Sequence, residues 1–316
     1  MRVLITGAGG FAGGHLARLC GREGATVTGA GRSAPPAGPA LDGWVTVDLA
    51  DADAARGVVR DARPERVFHL AAQARIRTSW HAARETIDAN VATTCNLLDA
   101  VEAEAPGARV LVVGSAEQYG PVPPERLPAD EDEPFRPQNP YAVSKCATDL
   151  AAGFYADAHG LDVVRVRSFN QAGPGEQDRS VLSDFARQIA TAEAAGSPSA
   201  TVRTADTRPA RDFTDVRDAV RAYWLALERA PAGVYNVCSG RAMTVAAVLA
   251  ALAELTDLPV EPYQDPELMR KREVTDIRGS HERLTRATGW QPELPIERTL
   301  ADTLGFWRDH LREPVA

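Results

Sequence analysis

The chain has 316 residues, a formal net charge of −8 and a pI of about 5.4. That length builds one large domain or two moderate ones around a substantial core, and an acidic chain with no basic stripe argues against a nucleic-acid binder. No apolar run approaches the roughly 18 residues of a membrane span, the N-terminus opens into a strand pattern rather than a signal segment, and the expected location is cytoplasmic. Cys20, Cys95, Cys146 and Cys238 form no C-x-x-C pair and read as reduced, mostly buried thiols. His81 and Glu85 stand at i, i+4 with no third ligand nearby, so no metal is expected.

Residues 2–6 read as a short apolar strand. Gly7-Ala8-Gly9-Gly10-Phe11-Ala12-Gly13 follows, and then a helical stretch from Gly14 to Cys20. In a strand–turn–helix context, glycines let the backbone approach a pyrophosphate, and the helix N-terminus offers it free N–H groups. A cofactor site at Gly7, Gly10, Phe11, Ala12 and Gly13 is expected; the plainer reading is a tight structural turn. Residues 25–30 form the second strand. Enzymes using NAD commonly carry an acid just past this strand, on the ribose 2′-hydroxyl. Here Gly31-Arg32-Ser33 follows, with no acid. Arg32 can meet a 2′-phosphate, so NADP(H) is favoured, with NAD(H) as the alternative. Otherwise Arg32 is one more surface arginine.

Residues 34–43 read as loop, and 44–47 as a strand leading to Asp48-Leu49. Residues 66–70 form the next strand and run into Ala71-Ala72-Gln73, small residues past which a cofactor can lie close to Leu70, Ala71 and Ala72. Arg75 suits either an anionic substrate or a solvated loop. A helix is expected over 86–105, with Ile87, Val91, Thr94, Leu97, Leu98 and Val101 as its core stripe. Residues 109–113 form a buried strand ending at Gly114-Ser115-Ala116-Glu117. The proline-rich stretch 121–140 reads as a surface loop, and its acidic run Asp130-Glu131-Asp132-Glu133 as solvated.

Asn139-Pro140 supplies a helix entry, and Tyr141 and Lys145 then share one helix face. A phenol near pKa ~10 is a poor catalyst at neutral pH, and a nearby ammonium favours its ionised form. Of 35 lysines and arginines only Lys145 and Lys271 are lysines. Lys145 thus marks a place where a compact ammonium is wanted and a planar guanidinium does not substitute. The bland alternative is a half-buried tyrosine beside a solvated lysine.

Residues 161–166 read as a strand leading to Phe169-Asn170-Gln171-Ala172-Gly173-Pro174-Gly175, and 181–189 as an amphipathic helix. Arg211 opens Arg-Asp-Phe-Thr-Asp-Val and suits a phosphate. A helix over 219–227, a last sheet strand over 233–237 and a helix capped by Thr244 follow. Arg270-Lys271-Arg272-Glu273-Val274 stands nearer the end of the chain.

The G-x-x-G-x-x-G spacing of Gly7, Gly10 and Gly13, the string His69-Leu70-Ala71-Ala72-Gln73 and the Tyr141-x-x-x-Lys145 pair together resemble the extended short-chain dehydrogenase/reductases that modify nucleotide sugars. The resemblance runs along essentially the whole chain. It implies an α/β fold, a Rossmann-type doubly wound parallel sheet with a smaller interleaved C-terminal α/β lobe. It places residues 1–170 and 212–240 in the dinucleotide-binding domain and 171–211 and 241–316 in the nucleotide-sugar lobe. Asp48 and Leu49 would flank the adenine, and Tyr141 and Lys145 would also hold the nicotinamide ribose. Ser115 stands where the family has its catalytic Ser or Thr, and Glu117 where its dehydratases and decarboxylases use a Glu. Gln73, Arg75, Asn170, Arg211, Arg270 and Glu273 would bind the nucleotide-diphosphate sugar. Helices near 86–105 and 141–158 would pack across a homodimer axis. The strings Arg-Asp-Phe-Thr-Asp-Val-Arg-Asp and Ala-Thr-Gly-Trp look most like reductases of GDP-4-keto-6-deoxy-mannose. The implied activity is NADPH-dependent reduction of the sugar's C4 ketone, with Tyr141 giving the proton and Ser115 holding the oxygen. A GDP-mannose-type 4,6-dehydratase or a C4 epimerase is the alternative, and a non-catalytic dinucleotide sensor a remote one.

Overall fold

Short apolar strands alternating with amphipathic helices set the order of elements. The structure is a computed structural model and describes residues 1–35, 41–176, 180–268 and 276–312. The first half runs β1 (Arg2–Thr6), α1 (Phe11–Arg22), β2 (Thr26–Gly31), β3 (Gly43–Thr46), α2 (Ala52–Ala62), β4 (Arg66–His69), α3 (Ile76–His81), α4 (Ala83–Glu104), β5 (Arg109–Val113) and α5 (Pro140–His159). Next come β6 (Val163–Ser168), β7 (Asn170–Ala172), α6 (Val181–Ala194), β8 (Ala200–Thr204), β9 (Ala210–Asp215), α7 (Val216–Arg229) and β10 (Gly233–Val237). The chain continues through β11 (Ala242–Thr244), α8 (Val245–Ala253), β12 (Val260–Gln264), β13 (Asp276–Ile277), α9 (Glu282–Thr288) and α10 (Ile296–Arg312).

Seven strands form one parallel sheet in the order β10-β6-β5-β4-β1-β2-β3. β1 shows why both faces are covered. Val3 and Ile5 point into a core shared with Leu16, Phe68 and Tyr223, while Leu4 points into a second core with Val67, Leu97 and Val110. Alternate side chains leave opposite faces of a strand, so a parallel sheet buried on both sides reads as a continuous apolar run. The strand order reverses beside β1, and ligands of such sheets bind at that crevice. β7, β9, β11 and β13 form a smaller sheet, and β8 pairs with β12. Leu182, Phe185, Leu249, Leu304 and Trp307 make the core beneath them.

Two expectations need correction. The acidic run is not solvated throughout: Glu131 and Glu133 are buried. Glu133 pairs with Arg126 and Arg136, each at 2.7 Å. Glu131 accepts from Asn236 N at 2.7 Å and pairs with Arg283 at 3.3 Å. Buried carboxylates persist where cations and N–H groups meet them. Nor is the α4 stripe all core. Thr86, Asn90 and Thr94 line the buried face with Leu97, Leu98 and Val101, whereas Ile87 and Val91 are only half-buried.

Candidate active site

The turn after β1 carries a cradle shaped by missing side chains. Gly7 has φ +73°, and a Cβ there would stand 2.8 Å from Ala71 N, just beyond β4. A Cβ on Gly13 would stand 2.3 Å from Gly7 O. Gly10 caps α1 without any side-chain hydrogen bond, which leaves the first helical N–H groups for an anion. These residues fit the pyrophosphate of a dinucleotide. Phe11 packs edge-on to His15 at 5.6 Å, and Ala12 is half-buried beside it.

Around the cradle, Arg32 is exposed directly after β2. Trp44 braces its turn, donating from Nε1 to Ser33 O at 3.1 Å and lying so close to Gly29 that a Cβ there would meet the ring at 2.8 Å. Asp48 is exposed and accepts from Ala50 N at 3.0 Å, while Leu49 is buried and its carbonyl accepts from Asn96. Leu70, Ala71 and Ala72 follow β4 and are half-buried.

β5 delivers Ser115, and the N-terminus of α5 delivers Tyr141. The Ser115 hydroxyl accepts from Glu117 N at 3.2 Å, and Gln118 Oε1 accepts from Ser115 N at 2.7 Å, which fixes the turn. The Ser115 hydroxyl acts on the Tyr141 phenol, favouring its ionised form. Burial pushes that phenol up to about 12; Ser115 works against the rise and the Glu117 charge adds to it. Lys145 is buried one turn on, with Nζ donating to Val113 O at 2.7 Å. Burial pulls its ammonium down to about 8. The spacing alone suggested that Lys145 would bring the phenol down. In the structure burial dominates, and the ammonium is committed to the end of β5.

Glu117 accepts from Asn139 Nδ2 at 2.9 Å. Gln73 is held by the buried Asn90, which accepts from Gln73 N at 2.7 Å and donates to Gln73 O at 3.2 Å and to Ser144 Oγ at 2.8 Å. Arg75 is exposed at the start of α3. Asn170 lies on β7 in register with Phe213, and Arg211 lies on β9 in register with Ile277, so both belong to the smaller sheet. Arg270 and Glu273 lie outside the described residues.

Sequence reasoning missed Asn90 and His69. His69 is buried between Thr6 Oγ1 at 2.8 Å and Thr94 Oγ1 at 3.1 Å, and burial, helped by the Lys145 charge, pulls it down to about 3. Its imidazole is therefore neutral below the reacting groups. The available signal was Thr86, Asn90 and Thr94, a polar row at helical spacing inside a stripe otherwise apolar.

A doubly wound sheet with a glycine cradle at its switch point and a Ser–Tyr–Lys set carried by the end of β5 and the start of α5 defines a dinucleotide-dependent oxidoreductase class. The family model described as GDP-mannose 4,6 dehydratase matches residues 4–303. The chain belongs to that family, within the extended short-chain dehydrogenase/reductases, whose members are NAD(P)-dependent nucleotide-sugar reductases, epimerases and dehydratases. It is 37% identical over 251 residues to a GDP-6-deoxy-D-mannose reductase of Pseudomonas aeruginosa, covering 79% of this chain and 82% of the relative. Among solved structures, RMD from Pseudomonas aeruginosa complexed with NADPH superposes with a TM-score of 0.84 at 32% identity, covering 98% of this chain and 100% of the other. The UDP-glucose 4-epimerase of Thermus thermophilus, in complex with NAD, superposes at 0.87 with 29% identity, covering 98% and 99%.

Proposed function

We propose that the protein reduces the C4 ketone of a nucleotide-diphosphate 4-keto-6-deoxy sugar of the GDP-4-keto-6-deoxy-mannose type, with NADPH as reductant. One observation carries the direction of the reaction: over 79% of its length the chain is 37% identical to a GDP-6-deoxy-D-mannose reductase. A reductase needs an acid at the start, because the oxygen on C4 gains negative charge as the ketone is reduced. An enzyme that first oxidises C4 needs the opposite charge state, a phenolate ready to accept a proton. The Tyr141 phenol, held neutral by burial, is in the charge state such a donor starts from.

When bound, the reduced nicotinamide supplies the hydride equivalent. Tyr141 gives its proton to the C4 oxygen. Ser115, which acts on that phenol, holds the same oxygen. Lys145 contributes a fixed positive charge and a ribose contact. Gly7, Gly10 and Gly13 admit the pyrophosphate, and Arg32 meets the 2′-phosphate. Asn170 and Arg211 take the nucleotide-diphosphate sugar, together with Gln73, Arg75, Arg270 and Glu273. In this reading residues 1–170 and 212–240 serve the dinucleotide, and 171–211 and 241–316 serve the sugar. A second copy packs on the outer face of α4 and α5, where Val143, Leu150 and Phe154 are 40%, 63% and 58% exposed.

Incubation with the keto-sugar and NADPH tests the reading. Loss of one NADPH per sugar, with GDP-mannose inert, is expected. Turnover of a parent sugar with no net change in cofactor overturns it; loss of water would then mark a dehydratase, and unchanged mass an epimerase.

A further inference from the structure

Asn139 sits one residue before the proline that opens α5 and two before Tyr141. Its Oδ1 accepts from Ala142 N at 2.8 Å, which caps the helix. That bond fixes which end of the amide faces the other way: an oxygen must meet the helix N–H, so Nδ2 turns to Glu117 Oε2 at 2.9 Å. Both bonds are then used by one small, half-buried side chain. A serine or threonine caps as well, but its one O–H lies nearer the backbone than the amide Nδ2 that reaches Glu117, and an aspartate would present a second carboxylate.

Glu117 is one of several groups around the phenol. Ser115 favours its ionised form, and Lys145 on the same helix spends its Nζ on Val113 O. From α7, Tyr223 lies near enough to be felt, and it is itself a neutral phenol donating to Ser168 Oγ at 2.8 Å. Glu117 thus brings the negative charge that adds to the effect of burial on Tyr141, and Asn139 is the donor that holds it.

We propose that Asn139 is a positioning residue: while capping α5 it holds the Glu117 carboxylate at the entry of the helix that carries Tyr141, and so adds a negative charge to the burial that keeps Tyr141 a proton donor. The proposal rests on the reading that Tyr141 gives the proton to the ketone. It also explains why a reductase would keep Glu117, which the reduction itself does not consume.

The phenolate fraction of Tyr141 can be counted without substrate or cofactor, from the rate at which an aryl sulfonyl fluoride modifies that residue near pH ~8.5, followed by peptide mass. Asn139→Ser and Asn139→Thr retain a capping hydroxyl and should unfold near the wild-type temperature. Each should react roughly three- to tenfold faster at Tyr141, as a displaced Glu117 charge releases more phenolate. Glu117→Gln should accelerate the reaction similarly, and Asn139→Ser added to Glu117→Gln should bring no further gain. An unchanged Tyr141 rate in both capped variants, or rates that multiply in the double variant, would overturn the proposal. A wrong substrate assignment would leave the labelling result standing, so the two failures are separable.

Discussion

Lys145 is a cation placed where burial opposes its charge. Its folded value near 8 lies below the 10.5 of an unfolded lysine. A base depressed on folding adds stability above the unfolded value and loses it as pH falls through the folded one. Stability traceable to Lys145 should thus fall between about pH 10.5 and about pH 8. Lys145→Met should remove that slope and gain up to roughly 3 kcal/mol at neutral pH, while losing turnover; urea unfolding across that range measures it. Arg32 makes a second prediction. Arg32→Ala should weaken NADPH binding roughly 10- to 100-fold and leave NADH binding nearly unchanged, as read by nicotinamide fluorescence. Equal losses for both would remove Arg32 from the 2′-phosphate. Tyr141 and Lys145 were legible because their relation is local, one helical turn within one segment. The Asn90 bridge between Gln73 and Ser144 was not, since it joins three segments that only the fold brings together.

At the scale of elements, the strand–turn–helix at the N-terminus was readable from glycine spacing, and the structure supplies the reason. Gly13 admits no side chain because Gly7 O would stand 2.3 Å from its Cβ, backbone against backbone. Gly13→Ala should therefore cost about 1–3 kcal/mol of stability and lose most dinucleotide affinity, by thermal unfolding and binding titration. Wild-type affinity in that variant would put the pyrophosphate elsewhere. The acidic run was misread for a physical reason. Glu131 finds its partners on Asn236 and Arg283, far along the chain, and Glu133 on Arg126 and Arg136 of its own loop, and composition alone reveals neither pairing. The α4 stripe was misread similarly. Its first turns bury Thr86 and Asn90 toward the site and leave Ile87 and Val91 half-exposed.

At the scale of the molecule, the seven-stranded parallel sheet was legible because parallel strands buried on both faces read as apolar runs. Which nucleotide sugar fits was not, because a pocket is a shape made by several segments, and residues 269–275, with Arg270 and Glu273, lie outside the described residues. The outer face of α4 and α5 leads to a prediction about assembly. Leu150→Glu combined with Phe154→Glu should sediment as a monomer at concentrations where the wild type sediments as a dimer. A monomeric wild type would contradict the proposed face.

The most direct test of the central claim follows the hydrogen on C4. NADPH deuterated at the transferable position is mixed with the GDP-4-keto-6-deoxy sugar, and the product is examined by mass and proton resonance. The account predicts one deuterium fixed at C4 and an equal amount of cofactor oxidised. A product without deuterium at C4, or turnover with the cofactor returned unchanged, would contradict a net reductase.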